Sequence, residues 1–428
     1  MVTIAQMYTA KTTNSIAATL SVWLMWLSIA ALFLISPMVL YHWGLSYEDV
    51  GGSPFEKIHP GSFIAALALF FQACAYGFFN YIKRTLLNNI GLSIFIAATF
   101  LLLIYAILVQ KIPFTPIIDT FGMPIVIFVV LTNTSKTNLE KYAVFLHAVF
   151  AANALLAIYE YVTGERLTPY VAGTLVVEND WRSTSLMGHP LNNAVLTGAY
   201  ILLLCSKGGA GLQPFRRSAF IVLQFVSMVA FGARASLVAT VLLILPIILK
   251  NSFSVLLGNL RTSLPFLSVF ALGLPILAAA LFGLEEVGFF DRLIERFSED
   301  KGSTSARIAM LQLFNYIPLS DVLFGPDPDL IETLKGVEGV EAGIESMWIA
   351  FILSYGLVMS SLFFMGLFAF CFSIYKRTKP FTFYVFLFFF IVASTSVSLS
   401  AKTPTFGMVI VMLFAFQTKE TSNAYAKH

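Results

Sequence analysis

The sequence is short of charge and of cysteine. Only 11% of its 428 residues are Asp, Glu, Lys or Arg, against 58% hydrophobic residues, and there are three cysteines and five histidines. Water-soluble domains ordinarily carry about 25% charged residues, so this composition excludes a soluble globular chain. Cys74, Cys205 and Cys371 each fall within or at the end of an apolar run. There they read as packing residues and not as a disulfide or metal set. A Gly-rich phosphate loop, a low-complexity tract and an internal repeat are all missing, which argues against an ATP-driven machine. The net charge of +3 is split between two opposed faces and gives no case for a nucleic-acid partner.

What the chain does have is length in hydrophobic runs. Mean hydropathy is +0.83, and apolar stretches of roughly 20 residues recur, each long enough to cross about 30 Å of hydrocarbon as a helix. The pattern predicts an all-α polytopic transmembrane bundle, a single integral-membrane domain over 1–428. About twelve spans are expected, near 16–41, 62–82, 88–110, 117–132, 142–162, 191–206, 218–232, 236–250, 263–284, 347–375, 380–400 and 405–417. The first run lacks a convincing small-residue cleavage site and reads as a retained span.

Lys and Arg orient such a bundle, because short cytoplasmic loops retain them. With the N-terminus inside, the inner segments hold most of the basic residues, including Lys83, Arg84, Lys136, Lys141, Arg216, Arg217, Lys376 and Arg377, whereas only Glu140 and Glu420 among the acids fall inside. Both termini are then cytoplasmic, and residues 285–345 form one long outer loop with short helices.

Four outer segments concentrate polar chemistry. Trp181 to Asn193 carries Arg182, Gly188, His189 and Pro190 and opens a span; Pro190 suits a first helical turn, whose amides favour an anion. The guanidinium offers phosphate a planar fork and His189 a neutral donor or proton carrier; the plainer alternative is a loop arginine bonded to backbone and a capping histidine. Arg234 sits in the short turn Phe231 to Ser236, where it either serves a site or snorkels to lipid headgroups.

In the long loop, Val287, Phe290, Leu293, Ile294 and Phe297 recur at helical spacing opposite Asp291, Arg292, Glu295 and Glu299. This predicts an amphipathic helix on the membrane surface, with Arg292 and Arg296 interfacial. A second helix is expected to start at Ser303-Thr304-Ser305 and to carry Arg307 in its first turn, a position that the macrodipole disfavours for a cation. Gly325-Pro326-Asp327-Pro328-Asp329 reads as a turn, and its two carboxylates alone make a poor metal site. Last, Glu345-Ser346 precedes a nine-residue interval and Gly356. A carboxylate at the outer end of an apolar helix is expected to be desolvated, which makes it a better base for a sugar hydroxyl; alternatively it pairs with a nearby arginine.

Taken together, Arg182 with Gly188-His189-Pro190 and Asn193, Arg234, Ser305-Ala306-Arg307 with Gly325, and Glu345-Ser346 with Gly356 resemble the family of O-antigen ligases and bacterial polysaccharide polymerases. The ligases carry a His at the place of Glu345, so the resemblance leans toward a polymerase. It implies the integral-membrane glycosyltransferase fold and transfer of polyprenyl diphosphate-linked oligosaccharide to a glycan acceptor, with no nucleotide sugar, metal or other cofactor. It further implies a bacterial inner membrane location with the active site facing the periplasm, membrane lipid as partner, and a chain-length regulator and a flippase as further partners. In this reading Arg182, Arg234 and Arg307 hold the diphosphate, Glu345 is the base, and His189 orients acceptor or diphosphate. A ligase that uses a different acceptor, and a flippase or transporter of a lipid-linked glycan, stay open as alternatives.

Overall fold

The computed structural model describes residues 15–45, 47, 53–169, 171–172, 175–177, 180–206, 211–256, 288–298, 303–339, 343–378, 382–396, 399 and 401–416. The expected span near 263–284 and both chain ends lie outside these residues.

The protein is a multi-pass helical membrane protein. Among the described residues, six helices are long and apolar enough to cross a bilayer: α1 (Ser15–Leu34, apolar over Ile16–Leu34), α5 (Ile90–Gln110), α6 (Thr115–Thr132), α7 (Lys136–Thr163), α9 (Pro214–Phe231) and α15 (Met347–Thr378). A short helix α2 (Pro37–His42) follows α1. Helices α3 (Pro60–Tyr76) and α4 (Phe78–Leu87) pass the same test together but bend by 105° at their break. Shorter apolar helices are α8 (Pro190–Cys205), α10 (Arg234–Leu256, apolar over Arg234–Ile247), α16 (Thr382–Ala393) and α17 (Thr405–Ala415). Between α10 and α15 come α11 (Asp291–Ser298), α12 (Ser303–Gln312), α13 (Leu319–Phe324) and α14 (Pro328–Val337). A two-residue antiparallel pair, Val171 with Val176 and Ala172 with Leu175, precedes α8.

Three breaks depart from straight expected spans. The run 16–41 stops at Leu34, because Ser36 caps a new helix whose first residue is Pro37. The run 62–82 breaks at Gly77, which adopts φ +84°, a conformation open to glycine and costly for other residues. The run 347–375 is interrupted at Gly356 (φ +76°, ψ +161°).

Burial follows from sidedness. Every residue of α17 is buried, and so is α8 from Asn193 to Leu204, as expected of helices that are apolar all round and enclosed by protein. Helix α17 packs on α6, α7 and α8. Helices α5 and α15 approach closely because Gly366 faces Ala98 and Gly91 faces Ala369 and Ser373, the small-residue contact that membrane helices use. Phe95 stacks on Phe370 at 4.8 Å across that seam.

Candidate functional site

The segment from Asp180 to Asn193 is built around charge. Arg182 lies against Asp180, its Nε donating at 3.0 and 2.8 Å and its Nη2 at 2.5 Å, with side-chain exposures of 13% and 14%. Burial pushes the Asp180 carboxyl up, but the hydrogen bonds and charge of Arg182 outweigh it and hold the group below its usual range. The next three residues are gathered by a carboxylate from α7: Glu160 Oε2 accepts from Ser183 Oγ (2.6 Å), Thr184 N (3.0 Å) and Ser185 N (2.9 Å), while Oε1 accepts from Leu167 N (3.0 Å). Asn153 Oδ1 accepts from Leu186 N at 3.1 Å. Asn193 Nδ2 reaches back from α8 to Thr184 O at 2.6 Å.

His189 takes the capping role foreseen as the plainer reading. Its Nδ1 accepts from Leu191 N at 3.2 Å, one residue beyond Pro190 at the start of α8. Burial, helped by the positive charge of Arg182, pushes its pKa down to about 4. At neutral pH it is therefore an uncharged imidazole beside a guanidinium.

Arg234 opens α10, and the turn before it touches the Arg182 segment. Gly232 ends α9 with φ +60°, and a Cβ there would meet Trp181 Cη2 at 2.5 Å and Arg182 Cγ at 3.0 Å; Ser183 N also donates to Ala230 O at 3.0 Å. The two arginine-bearing turns thus pack as one unit. Arg292 joins them. The expected amphipathic helix exists as α11, but Arg292 lies over the Tyr161 ring at 5.6 Å, and Tyr161 meets Trp181 edge-on at 5.6 Å and donates to Phe289 O at 2.6 Å. The start of the loop is therefore docked on the arginine unit, a placement the interfacial reading of Arg292 did not include.

Arg307 and Glu345 form a second group. Arg307 is exposed on α12, one turn before Met310, whose Sδ accepts from Glu345 N at 3.1 Å. Glu345 is itself exposed, so the desolvation expected for it is not supplied by the described residues. Gly325 and Gly356 interlock: a Cβ on Gly356 would run into Gly325 N and lie 2.6 Å from Leu323 O. Tyr105 and Gln110 of α5 donate to Phe324 O, Gln110 at 3.3 Å. Two glycines that the sequence reading assigned to different motif elements, Gly325 with Arg307 and Gly356 with Glu345, thus meet backbone to backbone. Asp327 is the N-cap of α14, accepting from Asp329 N at 2.9 Å.

Further contacts lead from Gly188 to Asp119. Gly188 packs on Ser36 and Met38; His59 Nε2 meets Ile35 O at 2.7 Å; and Asp119, fully buried in a π-helical turn of α6, accepts from His59 N (2.9 Å), Tyr47 OH (2.9 Å) and Ser62 Oγ (2.6 Å). Lys402 covers the Tyr47 ring at 3.6 Å. Next to Asp119, Thr120, Phe121, Phe351, Ser354, Tyr355 and Ala401 line a cavity of about 40 Å³, room for a few waters but not for a sugar ring. The contacts thus bring Arg182, His189 and the turn before Arg234 into one unit and Arg307 and Glu345 into another, with no contact joining the two among the described residues.

Sequence reading missed Glu160, Asp119 and Asp180. The first two had a usable signal, a carboxylate inside an otherwise apolar helix, which the cost of burying charge makes a marked residue. No family model matches the chain, and no curated relative matches it.

Proposed function

We propose that this protein is a glycosyltransferase that polymerises polyprenyl diphosphate-linked oligosaccharide repeat units into O-antigen, capsule or exopolysaccharide at the outer face of a bacterial inner membrane. The observation that carries the reading is the packing of the Arg182 and Arg234 turns against each other, with His189 capping the helix that follows Arg182; Arg307 and Glu345 form a separate group joined through Met310. In topology, the long, bent and short apolar helices together with the run 263–284 make twelve spans, with both termini in the cytoplasm and residues 285–345 in the periplasm. The Lys and Arg distribution supports that orientation.

An acceptor sugar hydroxyl attacks the anomeric carbon of the donor; the new glycosidic C–O bond forms as the bond to the diphosphate breaks. The proton passes to the Glu345 carboxylate, and the electron pair leaves with polyprenyl diphosphate. Negative charge grows on that leaving group, so fixed guanidinium donors lower the barrier. Arg182, aimed by Asp180, and Arg234 beside it suit a bidentate grip on phosphate oxygens. His189, neutral at pH 7, donates or orients without adding charge. The energy comes from the diphosphate linkage, so neither nucleotide nor other cofactor is required. A flippase would deliver the donor and a chain-length regulator would set when growth stops.

Cells lacking the protein test this. Accumulation of single lipid-linked repeat units on the outer leaflet is expected. Accumulation of unligated polymer would instead indicate a ligase, and units trapped on the inner leaflet a flippase.

A further inference from the structure

Glu160 sits in the last turn of α7, where the helix macrodipole disfavours a carboxylate, and it is only 2% exposed. Burying a charge there costs free energy unless several donors compensate it. They do: four hydrogen bonds of 2.6–3.0 Å converge on it, two from the consecutive amides of Thr184 and Ser185. Successive amides turned to one side form a concavity for an anion, here filled from within the chain. Ser185 is held at φ +41°, a sparsely populated region for a non-glycine residue that persists only where its surroundings impose it. Arg182 lies immediately before this turn and His189 four residues after it.

We propose that Glu160 is a positioning residue: its carboxylate fixes the Ser183–Ser185 turn and so sets the direction in which Arg182 and His189 face the diphosphate of the donor. The role in donor binding rests on the glycosyltransferase reading. The fixing of the turn does not. Glu160 touches no reacting atom. Glutamine keeps the shape but replaces one acceptor oxygen with a donor, so it cannot satisfy both the Leu167 amide and the Ser183–Ser185 donors.

Purified full-length wild type, Glu160→Gln and Glu160→Asp are compared, with Glu160→Ala added where it folds. Amide hydrogen exchange over residues 183–186 is expected to rise about tenfold or more in Glu160→Gln, the size associated with lost charge-assisted hydrogen bonds, while exchange at the core helix α17 stays unchanged. With lipid-linked repeat units as substrate, KM for the donor should rise by a similar factor with a smaller change in kcat, and Glu160→Asp should recover part of both. Unchanged exchange at 183–186 would overturn the proposal, as would raised exchange with an unaltered donor KM in an active enzyme. If wild type leaves lipid-linked units untouched, the glycosyltransferase reading fails, and the exchange measurement still decides whether Glu160 fixes the turn.

Discussion

The two groups of candidate residues are built in opposite ways. Around Arg182, charge is enclosed and answered within the chain: Asp180 meets the guanidinium, Glu160 collects the next turn, and exposures of the ion pair are 13% and 14%. Around Arg307 and Glu345 the charged groups are exposed. What is fixed there is the backbone, through the Gly325–Gly356 interlock, a cluster of Met310, Leu313, Ile331, Ile344 and Leu353, and the hydrogen bond of Glu345 N to Met310. The difference separates the jobs of Arg182 and Glu345. A group that must grip growing charge gains from being fixed before substrate arrives, since reorganisation then costs little at the transition state. A base that must follow an acceptor hydroxyl gains from reach.

The largest expected effect breaks the second group. Glu345→Gln should lower transfer by about 10²- to 10⁴-fold, the range for loss of a general base, with donor binding largely kept. Glu345→His should retain partial activity, and Glu345→Asp little, because shortening the side chain spoils hydrogen-bond reach. Product length on gels after incubation with lipid-linked units reads all three. Wild-type-length polymer from Glu345→Gln would return the residue to a surface carboxylate.

Next come the arginines. Arg182→Ala, Arg234→Ala and Arg307→Ala should each cost roughly 10²-fold in kcat/KM, as for removal of one fixed donor to developing charge, and Lys should restore little. Salt sharpens the comparison: the contribution of exposed Arg307 should shrink at high ionic strength, and that of enclosed Arg182 should not. Arg292→Ala should cost only about two- to fivefold, the size of an exposed cation–π contact, because its guanidinium rests on Tyr161. Equal losses at all four positions would remove the distinction between clamp and scaffold.

Gly356→Ala tests the interlock through stability. The new Cβ meets backbone at a positive φ, so destabilisation of roughly 2 kcal/mol or more is expected from strain and overpacking together, seen as earlier thermal unfolding in detergent. Gly325→Ala combined with it should cost less than the sum, because one backbone contact is lost twice.

The last effect is a pH dependence. The pKa of His189 lies at about 4 in the folded protein against 6.5 for the free group. Between those values the unfolded chain binds a proton that the folded chain refuses, so stability falls as pH drops from 6.5 toward 4 and is fully present above 6.5. His189→Asn, which preserves a cap, should flatten that slope in a thermal unfolding series.

The sequence made the spans legible because a helix crossing lipid must be apolar for about 20 residues, and runs such as 88–110 and 142–162 appear nearly as expected in α5 and α7. The same averaging hid single carboxylates. Asp119 and Glu160 vanish into apolar windows, although each organises a loop at the end of the bundle. The break at Gly356 depends on the Gly325 backbone packed against it, which no local pattern shows; the break at Gly77 did carry a local mark, a lone glycine in an apolar run, that averaging over the span passed over. His189 was legible as a cap, since Pro190 follows it. The contact of Arg292 was not, because its ring partner Tyr161 lies on a helix far away in the chain.

The most direct test of the central claim is reconstitution: purified wild-type protein in liposomes, given polyprenyl diphosphate-linked repeat units and nothing else. A ladder of longer lipid-linked glycans is expected, with one free polyprenyl diphosphate released per repeat added, and no ladder from Glu345→Gln or Arg182→Ala. Repeat units that remain unextended by active, folded protein, or a ladder that persists in both variants, would contradict that claim.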